Sequence, residues 1–387
     1  MGLSLLSAEE NAIRDAVRTL VQREVAPHSA DLDQKAIFPR DNLTILGQHG
    51  YLGMIVDSEF GGAGTSYLAQ TLVVEALAEV DPATAVVYEV HNSLHTEAVW
   101  RFGTREQRQR WLPSLCDGSA IGAFALSEAD AGSNAAAIAT RARAAGSGYR
   151  LTGRKMFITG GGEADRYLVF ATLDPALKTH GITAFVVDKN SPGLSFGPAM
   201  NKMGIRAART SEVILEDVHV SAQDRLGAEG EGYELALYLL DGGRIGIAAQ
   251  GVGIIAAALA RSLRYARERH QFGRSIGRFE GVQWKLANMA TDLHAARLMT
   301  YEAARHRDEG PTQRPLFAMA KLFASEHAVL HAAAAIQIFG GYGYMTEYGV
   351  ERLLRDAKIT EIYEGTSEIM RWVIASQLLK EYDLDNI

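Results

Sequence analysis

The apolar periodicity of this 387-residue chain changes twice, and those two changes limit its fold more than any single motif does. Ser7 and Glu10 have the spacing of a capping box, and Ile13, Val17, Leu20, Val21 and Val25 then recur at helical intervals until Pro27 stops the run. Helical windows continue in "YLAQTLVVEALAEV", "PATAVVYEVHNSLHTEAVWRFG" and "REQRQRWLPSLC", set off by the turn-rich "SEFGGAGT". From residue 121 the texture becomes short β-rich runs split by Gly, Asp, Asn and Pro: "IGAFALSE", "YRLTGRKMFITGG", "RYLVFATL", "GITAFVVDK", "GLSFGPAM" and "EVILEDVHV". Helical periodicity returns at Gly232, in windows 232–268, 280–308, 315–339, 347–360 and 366–381. The pattern predicts an α+β protein with a helical N-terminal domain over 1–120, a central β-domain over 121–228 and a helical bundle over 229–387. The length suits such a division, since domains run about 100–200 residues. No internal repeat or low-complexity linker interrupts the chain.

Composition removes several classes of function. The net charge of −7 and a pI near 5.9 leave no basic field for nucleic acid or an acidic membrane surface. One cysteine, Cys116, can form neither an internal disulfide nor a thiolate zinc site, which suits a reducing, cytoplasmic setting. The first residues, "MGLSLLSAEENAIRD", lack the basic and apolar regions of a signal peptide. The most apolar stretch, from residue 245, is shorter than the roughly 20 residues of a membrane span and contains Gln250. It reads as a buried helix, and no membrane insertion is expected.

Five stretches carry candidate chemistry. In "KITEIYEGTSEIMRW", Glu364 stands between two helical runs, with Gly365 breaking the path and Thr366 placed to cap the next helix. It is either a helix-start acid favoured by the macrodipole or a perturbed, reactive carboxyl. "FALSEADAGSNAAA" and "KMFITGGG" each end a β-run in small residues and hydroxyls, giving a surface turn or a backbone cradle for a planar ligand. "RERHQFGRSI" sets arginines at a helix end, for the helix dipole or for a diphosphate. "QIFGGYGYMTEYG" is a tight interhelical turn or a close approach to a ligand. No dinucleotide-binding glycine fingerprint, P-loop or nucleophile elbow occurs. His91 and His95, and His327 and His331, are each four apart on helical windows, but with no third ligand they read as solvated helix faces rather than metal sites.

Taken in order, "ALSEADAGS", "KMFITGG", "NKMGIRAARTSEVILEDVHV", "DGGRIGIAAQ", "RERHQFG", "QIFGGYGY" and "RDAKITEIYEGTSEIMR" resemble the acyl-CoA dehydrogenase family, and within it the short-chain members, from about residue 7 to 380. The resemblance implies an α-helical N-terminal domain, a central β-barrel or sandwich and a C-terminal four-helix bundle. FAD would lie between the last two domains and a neighbouring subunit of a homotetramer. Glu364 would be the base that removes the α-proton of an acyl thioester while the β-hydrogen leaves as hydride to the flavin. Some relatives place the base elsewhere, near the position held here by Gly243, and the glycine leaves Glu364 as the candidate.

Residue by residue, the family pattern assigns flavin contacts to Phe124, Ala125, Leu126, Ser127 and Ser133, and to Phe157, Ile158 and Thr159. Arg269, Phe272, Gln337, Gly340 and Gly341 match residues that hold the diphosphate and adenosine end from the partner subunit, and Thr366 and Glu368 match contacts that follow the base. Ser133, Asp241, Arg244 and Gly365 match the thioester side. Several positions depart from the pattern. Phe157 replaces a common Trp, Glu280 a common Gln, Arg209 a small or acidic residue, and Ser376 an arginine of some medium-chain relatives. The expectation is an FAD-dependent dehydrogenase of short acyl-CoA that forms a trans-2-enoyl product and passes electrons to an electron-transfer flavoprotein. The rivals are a dehydrogenase of acyl-carrier-protein thioesters, a flavin oxidase on the same fold, and a helical scaffold without catalysis.

Overall fold

Helix α1, Ala8–Glu24, begins where the capping box closes: the Glu10 N–H donates to Ser7 Oγ at 3.1 Å and the Ser7 N–H to Glu10 Oε2 at 2.6 Å. The computed structural model describes residues 6–310 and 313–381. Two short helices, α2 (Ser29–Lys35) and α3 (Arg40–Gln48), lead to α4 (Tyr67–Val80), whose bounds coincide with its apolar window. Next, α5 (Pro82–Glu89) runs on into a π-helical segment, Val90–Thr96, and then α6 (Glu97–Phe102). Helix α7 (Arg105–Cys116) has its own capping box, built by Thr104 and Gln107.

The chain then forms eight strands: β1 (Gly122–Ala125), β2 (Arg141–Ala145), β3 (Gly148–Thr159), β4 (Arg166–Thr172), β5 (Ile182–Asp188), β6 (Leu194–Phe196), β7 (Thr210–Ser221) and β8 (Arg225–Leu226). They make one sheet in the order β6-β7-β3-β2-β4-β5-β8, with β1 parallel beside β4. β4 and β5 are almost wholly buried, as their unbroken apolar runs require. β2 was not expected, because "RARAA" has no β-branched or aromatic residue; its antiparallel register with β3 supplies what its own sequence does not.

The last third is helical: α8 (Gly232–Glu268), α9 (Glu280–Glu309), α10 (Arg314–Phe339), α11 (Val350–Ala357) and α12 (Ser367–Glu381), with a small hairpin of β9 (His270–Gln271) and β10 (Arg274–Ser275) between α8 and α9. The window 347–360 resolves into α11 flanked by two 3₁₀ turns, because Gly349 turns to φ +62° ahead of it. Helix α8 packs on α4, α9 and α10, and α10 on α12. Helix α8 fills its 37-residue helical window and, like the segment Arg314–Tyr344, is long and apolar enough to cross a membrane. Its apolar window is, however, 89% buried within the molecule, and 44% for the second segment.

Buried ion pairs join the N-terminal helices to this bundle. Arg352 of α11 donates to Asp81 and Asp356, and Arg355 to Asp33 of α2. Glu75 of α4 accepts from Arg297 and Tyr301 of α9. The Ile205 N–H, in the loop before β7, donates to Asp356 Oδ1, so the β-domain meets the same cluster.

Candidate active site

Between α11 and α12 the backbone reverses sharply. Glu364 has φ +51° and Gly365 φ +100°, a region where a side chain costs about 1–2 kcal/mol and glycine nothing. Two contacts hold the reversal: Lys321 Nζ of α10 donates to the Gly365 carbonyl at 2.5 Å, and Thr366 Oγ1 accepts from the Ile369 N–H at 3.3 Å to start α12. Glu364 is thereby aimed inward, and its Oε2 is buried without a hydrogen-bond partner. Among the described residues none accepts a hydrogen bond from the Glu364 N–H.

The carboxyl rests on a bare face of α8. A Cβ at Gly243 would lie 2.0 Å from Glu364 Oε2 and 3.1 Å from Leu94 Cδ2 of the π segment. One turn further, a Cβ at Gly246 would lie 2.3 Å from Glu89 Cγ at the end of α5. The two glycines therefore open a slot between α8 and the α5–π junction, and two carboxyl groups enter it. Burial raises the pKa of Glu364, and a hydrogen bond to Glu89 and the charges of Lys321 and Arg244 partly oppose that rise. Burial pushes Lys321 down to about 8, so it is charged in neutral solution. Tyr363, next to Glu364 in the chain, is anchored to α8 as well, its hydroxyl donating to Gln250 Oε1.

On the same turn of α8, Asp241 accepts from Arg244 Nη1 at 2.7 Å and from Arg314 Nε at 3.0 Å, while Arg244 Nε is buried and unpartnered. Asp241, Arg244 and Gly365 are thus gathered around Glu364. Ser133 is elsewhere, exposed on the loop after β1.

The two candidate flavin loops lie side by side. The Met156 N–H donates to the Ser127 carbonyl at 2.9 Å, and Lys155 Nζ, fully buried, donates to the Leu126 carbonyl at 3.0 Å and to Glu128 at 2.7 Å. Glu128 also accepts from the N–H groups of Ala139 and Thr140, which fixes the loop carrying Ser133. Phe124 packs against Phe170 with the rings tilted at 60°, and Ala125 is buried behind it. Phe157, at φ +61°, is turned outward and 66% exposed, between Met156 and the inward-facing Ile158, with Thr159 half-buried. An exposed aromatic beside hydroxyls and braced backbone is a surface on which the flat, polar-edged ring of a flavin fits.

Arg269, Phe272, Gln337, Gly340 and Gly341 form a second group at the far end of the bundle. Arg269 lies over the Tyr342 ring at 5.4 Å, in a cavity of about 460 Å³ that Gly340 and Gly341 also line. Phe272, at the hairpin tip, is 93% exposed, and Gln337 is exposed as well. Along α8 this group lies roughly 37 Å from Gly243 at 1.5 Å per residue, so one chain does not bring it to Glu364. Thr366 adjoins Glu364, and Glu368 is exposed in the first turn of α12.

The histidines required a correction. His91 and His95 do not form a solvated face: both are fully buried in the π segment, which turns them toward β1. His91 Nδ1 accepts from the Gly122 N–H, and His95 Nδ1 meets the Ala123 carbonyl at 3.0 Å. Burial lowers their pKa to about 4 and about 3. His331 is likewise buried, on Asp292 at 2.8 Å. Among the described residues no cluster of metal-ligating side chains occurs. Sequence reasoning missed Glu89, Lys321, Lys155 and Glu128. The available signal was an isolated charge within an apolar run, as in "VVYEV" and "FAMAKLFA".

Comparison with known proteins accounts for the arrangement as a whole. Residues 7–119, 123–218 and 230–379 match the models of the acyl-CoA dehydrogenase N-terminal, middle and C-terminal domains. A short-chain-specific acyl-CoA dehydrogenase of Clostridium acetobutylicum is 41% identical over 375 residues, covering 97% of this chain and 99% of that protein. The solved butyryl-CoA dehydrogenase of Megasphaera elsdenii superposes with a TM-score of 0.95 at 39% identity, covering 98% of this chain and 100% of that one. A chain of the Acidaminococcus fermentans electron-transferring flavoprotein structure superposes with a TM-score of 0.96 at 42% identity, covering 98% of this chain and 100% of that one. Matches over all three segments, together with the inward-turned acid against a bare face of α8, place the chain in the acyl-CoA dehydrogenase family.

Proposed function

We propose that this protein oxidises a short-chain acyl-CoA to its trans-2-enoyl thioester, with Glu364 as the base. The observation that carries this reading is the Glu364 carboxyl itself: Oε2 is buried, unpartnered and fills the space that a Cβ at Gly243 would take. An α-C–H is a very weak acid, and a carboxylate competes for its proton only when stripped of water. Burial and Tyr363 remove that water, while the charges of Lys321 and Arg244 partly oppose the resulting rise in its pKa. The free Glu364 N–H faces no protein acceptor and is available to the thioester oxygen as enolate charge develops. Asp241 orients Arg244 at the same end, which suits the polar part of the thioester carrier.

Bound flavin supplies the acceptor for the β-hydride. Phe124, Ala125, Leu126, Ser127, Ser133, Phe157, Ile158 and Thr159 would hold its ring system, braced by the Lys155–Glu128 pair. FAD rather than FMN follows from Arg269 and the Gly340–Gly341 turn, which suit a diphosphate and adenosine supplied to the neighbouring subunit of a homotetramer. Similarity to the flavoprotein-associated chain supports an electron-transfer flavoprotein as acceptor.

The test is anaerobic flavin bleaching over a panel of short, branched and carrier-bound thioesters, after heat release and chromatography of the cofactor. Bleaching by short acyl-CoA with FAD released is expected. Bleaching only by carrier-protein thioesters moves the substrate to that class, rapid oxygen consumption makes the protein an oxidase, and colourless protein that binds no FAD contradicts the reading.

A further inference from the structure

The slot on α8 holds two acids, and only one has a role so far. Glu89 is fully buried at the junction of α5 and the π segment. With both groups read as carboxylates, Glu89 Oε1, Glu89 Oε2 and Glu364 Oε2 are all buried and unpartnered. Three lone acceptors in so small a space are costly, and a single proton between the acids pairs two of them and removes one of the two buried charges. The surrounding charges determine which acid keeps it. Glu364 faces Lys321 of α10 and Arg244 of α8, beside Tyr363. Glu89 faces Glu364, Ser93 and Glu97, with Tyr67 of α4 close by, and Arg307 of α9 is already bound to Glu97 at 2.9 Å. The side chains that act most strongly on Glu89 are Glu364, Ser93 and Glu97, none of them a cation.

From this geometry we infer that Glu89 is a positioning residue for the base: protonated in the resting enzyme, it donates a hydrogen bond to the Glu364 carboxylate, and the entering acyl chain parts the two. The inference rests on Glu364 being the base. The parting follows from space, because atoms at the Gly243 and Gly246 Cβ positions would lie 2.0 and 2.3 Å from the two side chains. An alkyl chain laid along that glycine face has no room until one carboxyl moves. The resting carboxylate is thus quietened by its donor, and it regains basicity when substrate removes that donor. The proton stays on Glu89 throughout, so Glu364 remains free to take the α-proton.

Two variants test this in the flavin-loaded protein. Glu89→Leu removes the donor, whereas Glu89→Gln keeps an N–H donor but cannot ionise. We expect the acid limb of kcat/KM for flavin reduction, which reports free enzyme, to move up by about one pH unit in Glu89→Leu and to stay put in Glu89→Gln. The acid limb of kcat, which reports the complex, should be the same in all three proteins. In a binding measurement, a thioether analogue lacking the acidic α-C–H should cause proton uptake by wild type and less by Glu89→Leu. A downward shift in both variants means Glu89 is ionised, and no shift in either means it is only structural. Equal shifts of kcat and kcat/KM in Glu89→Leu mean that the contact survives substrate binding. Each of these three outcomes overturns the inference. If Glu89→Leu does not fold, the infrared band of a protonated carboxyl decides: it should be present in wild type and lost in Glu89→Gln, and its absence from wild type is equally fatal. Failure of wild-type flavin to bleach with any thioester is a different result, and it strikes the reading of Glu364 instead.

Discussion

Lys321 shows how much of the site a single residue can carry. Its ammonium fixes the Gly365 carbonyl and lies beside the Glu364 carboxyl, so it both shapes the reversal and favours the ionised form of that carboxyl. Lys321→Met removes the charge at similar length, and with it an attraction that lowers the pKa of Glu364. The acid limb of flavin reduction should then move up by about 1–2 pH units, the usual effect of an adjacent opposite charge. Stopped-flow bleaching from pH 5 to 9 measures this, and an unmoved limb would show that Lys321 acts on the backbone alone. The Glu364 position could be read from the sequence because a helix break, a glycine and a capping threonine surround it. Lys321 and Glu89 could not, because each meets Glu364 only after α10 and α5 pack around α8, and no local pattern records that meeting.

Among the elements, regular helices were the most legible. The windows for α4, α7 and α8 coincide with the helices, Ser66 and Thr104 capping the starts of the first two and apolar periodicity carrying the third. The π segment was not legible, since its wider turn follows no 3.6-residue rule, and it reverses the reading of His91 and His95 from solvated to buried. This has a consequence for stability against pH. Burial holds the folded pKa of His91 at about 4, below the 6.5 of an unperturbed histidine, so the unfolded chain binds the extra proton between those values. Its contribution is therefore fully present above about pH 6.5 and is lost as pH falls toward 4. The loss is about 3 kcal/mol for a shift of this size, while the raised carboxyl of Asp356 acts in the opposite sense. His91→Gln, which still offers an amide to the Leu115 carbonyl and the Gly122 N–H, should flatten the fall in denaturant stability between pH 6.5 and 4. A slope equal to wild type would mean that His91 is not held neutral.

For the whole molecule, three zones were legible as changes of texture, but their mutual docking was not. The pairs that dock them, Asp33 with Arg355 and Glu75 with Arg297, join residues far apart in sequence whose charges look like ordinary surface. The bundle also carries Phe272, Trp284 and Trp372 at 93%, 65% and 67% exposure, an apolar outer surface of the kind that assembly covers. A homotetramer is expected, with a sedimentation mass of four times the 42.0 kDa chain. Because Arg269 and Phe272 are too far from Glu364 to serve their own chain's flavin, Arg269→Ala should lower FAD occupancy by roughly tenfold or more and loosen the assembly with it. A fall in occupancy with unchanged sedimentation would remove support for a site shared between subunits.

These scales meet in the Glu364 carboxylate. Glu364→Gln keeps shape and most contacts but removes the basic lone pair. Rapid mixing of the FAD-loaded variant with a thioester that bleaches wild type, alongside a thermal melt of both proteins, is the most direct measurement. The account predicts flavin reduction slower by roughly 10²–10⁴-fold, with FAD still bound and the melt nearly unchanged. Near-normal bleaching, with only a slight loss of stability at the start of α12, would contradict it and make Glu364 a helix-start acid rather than the base.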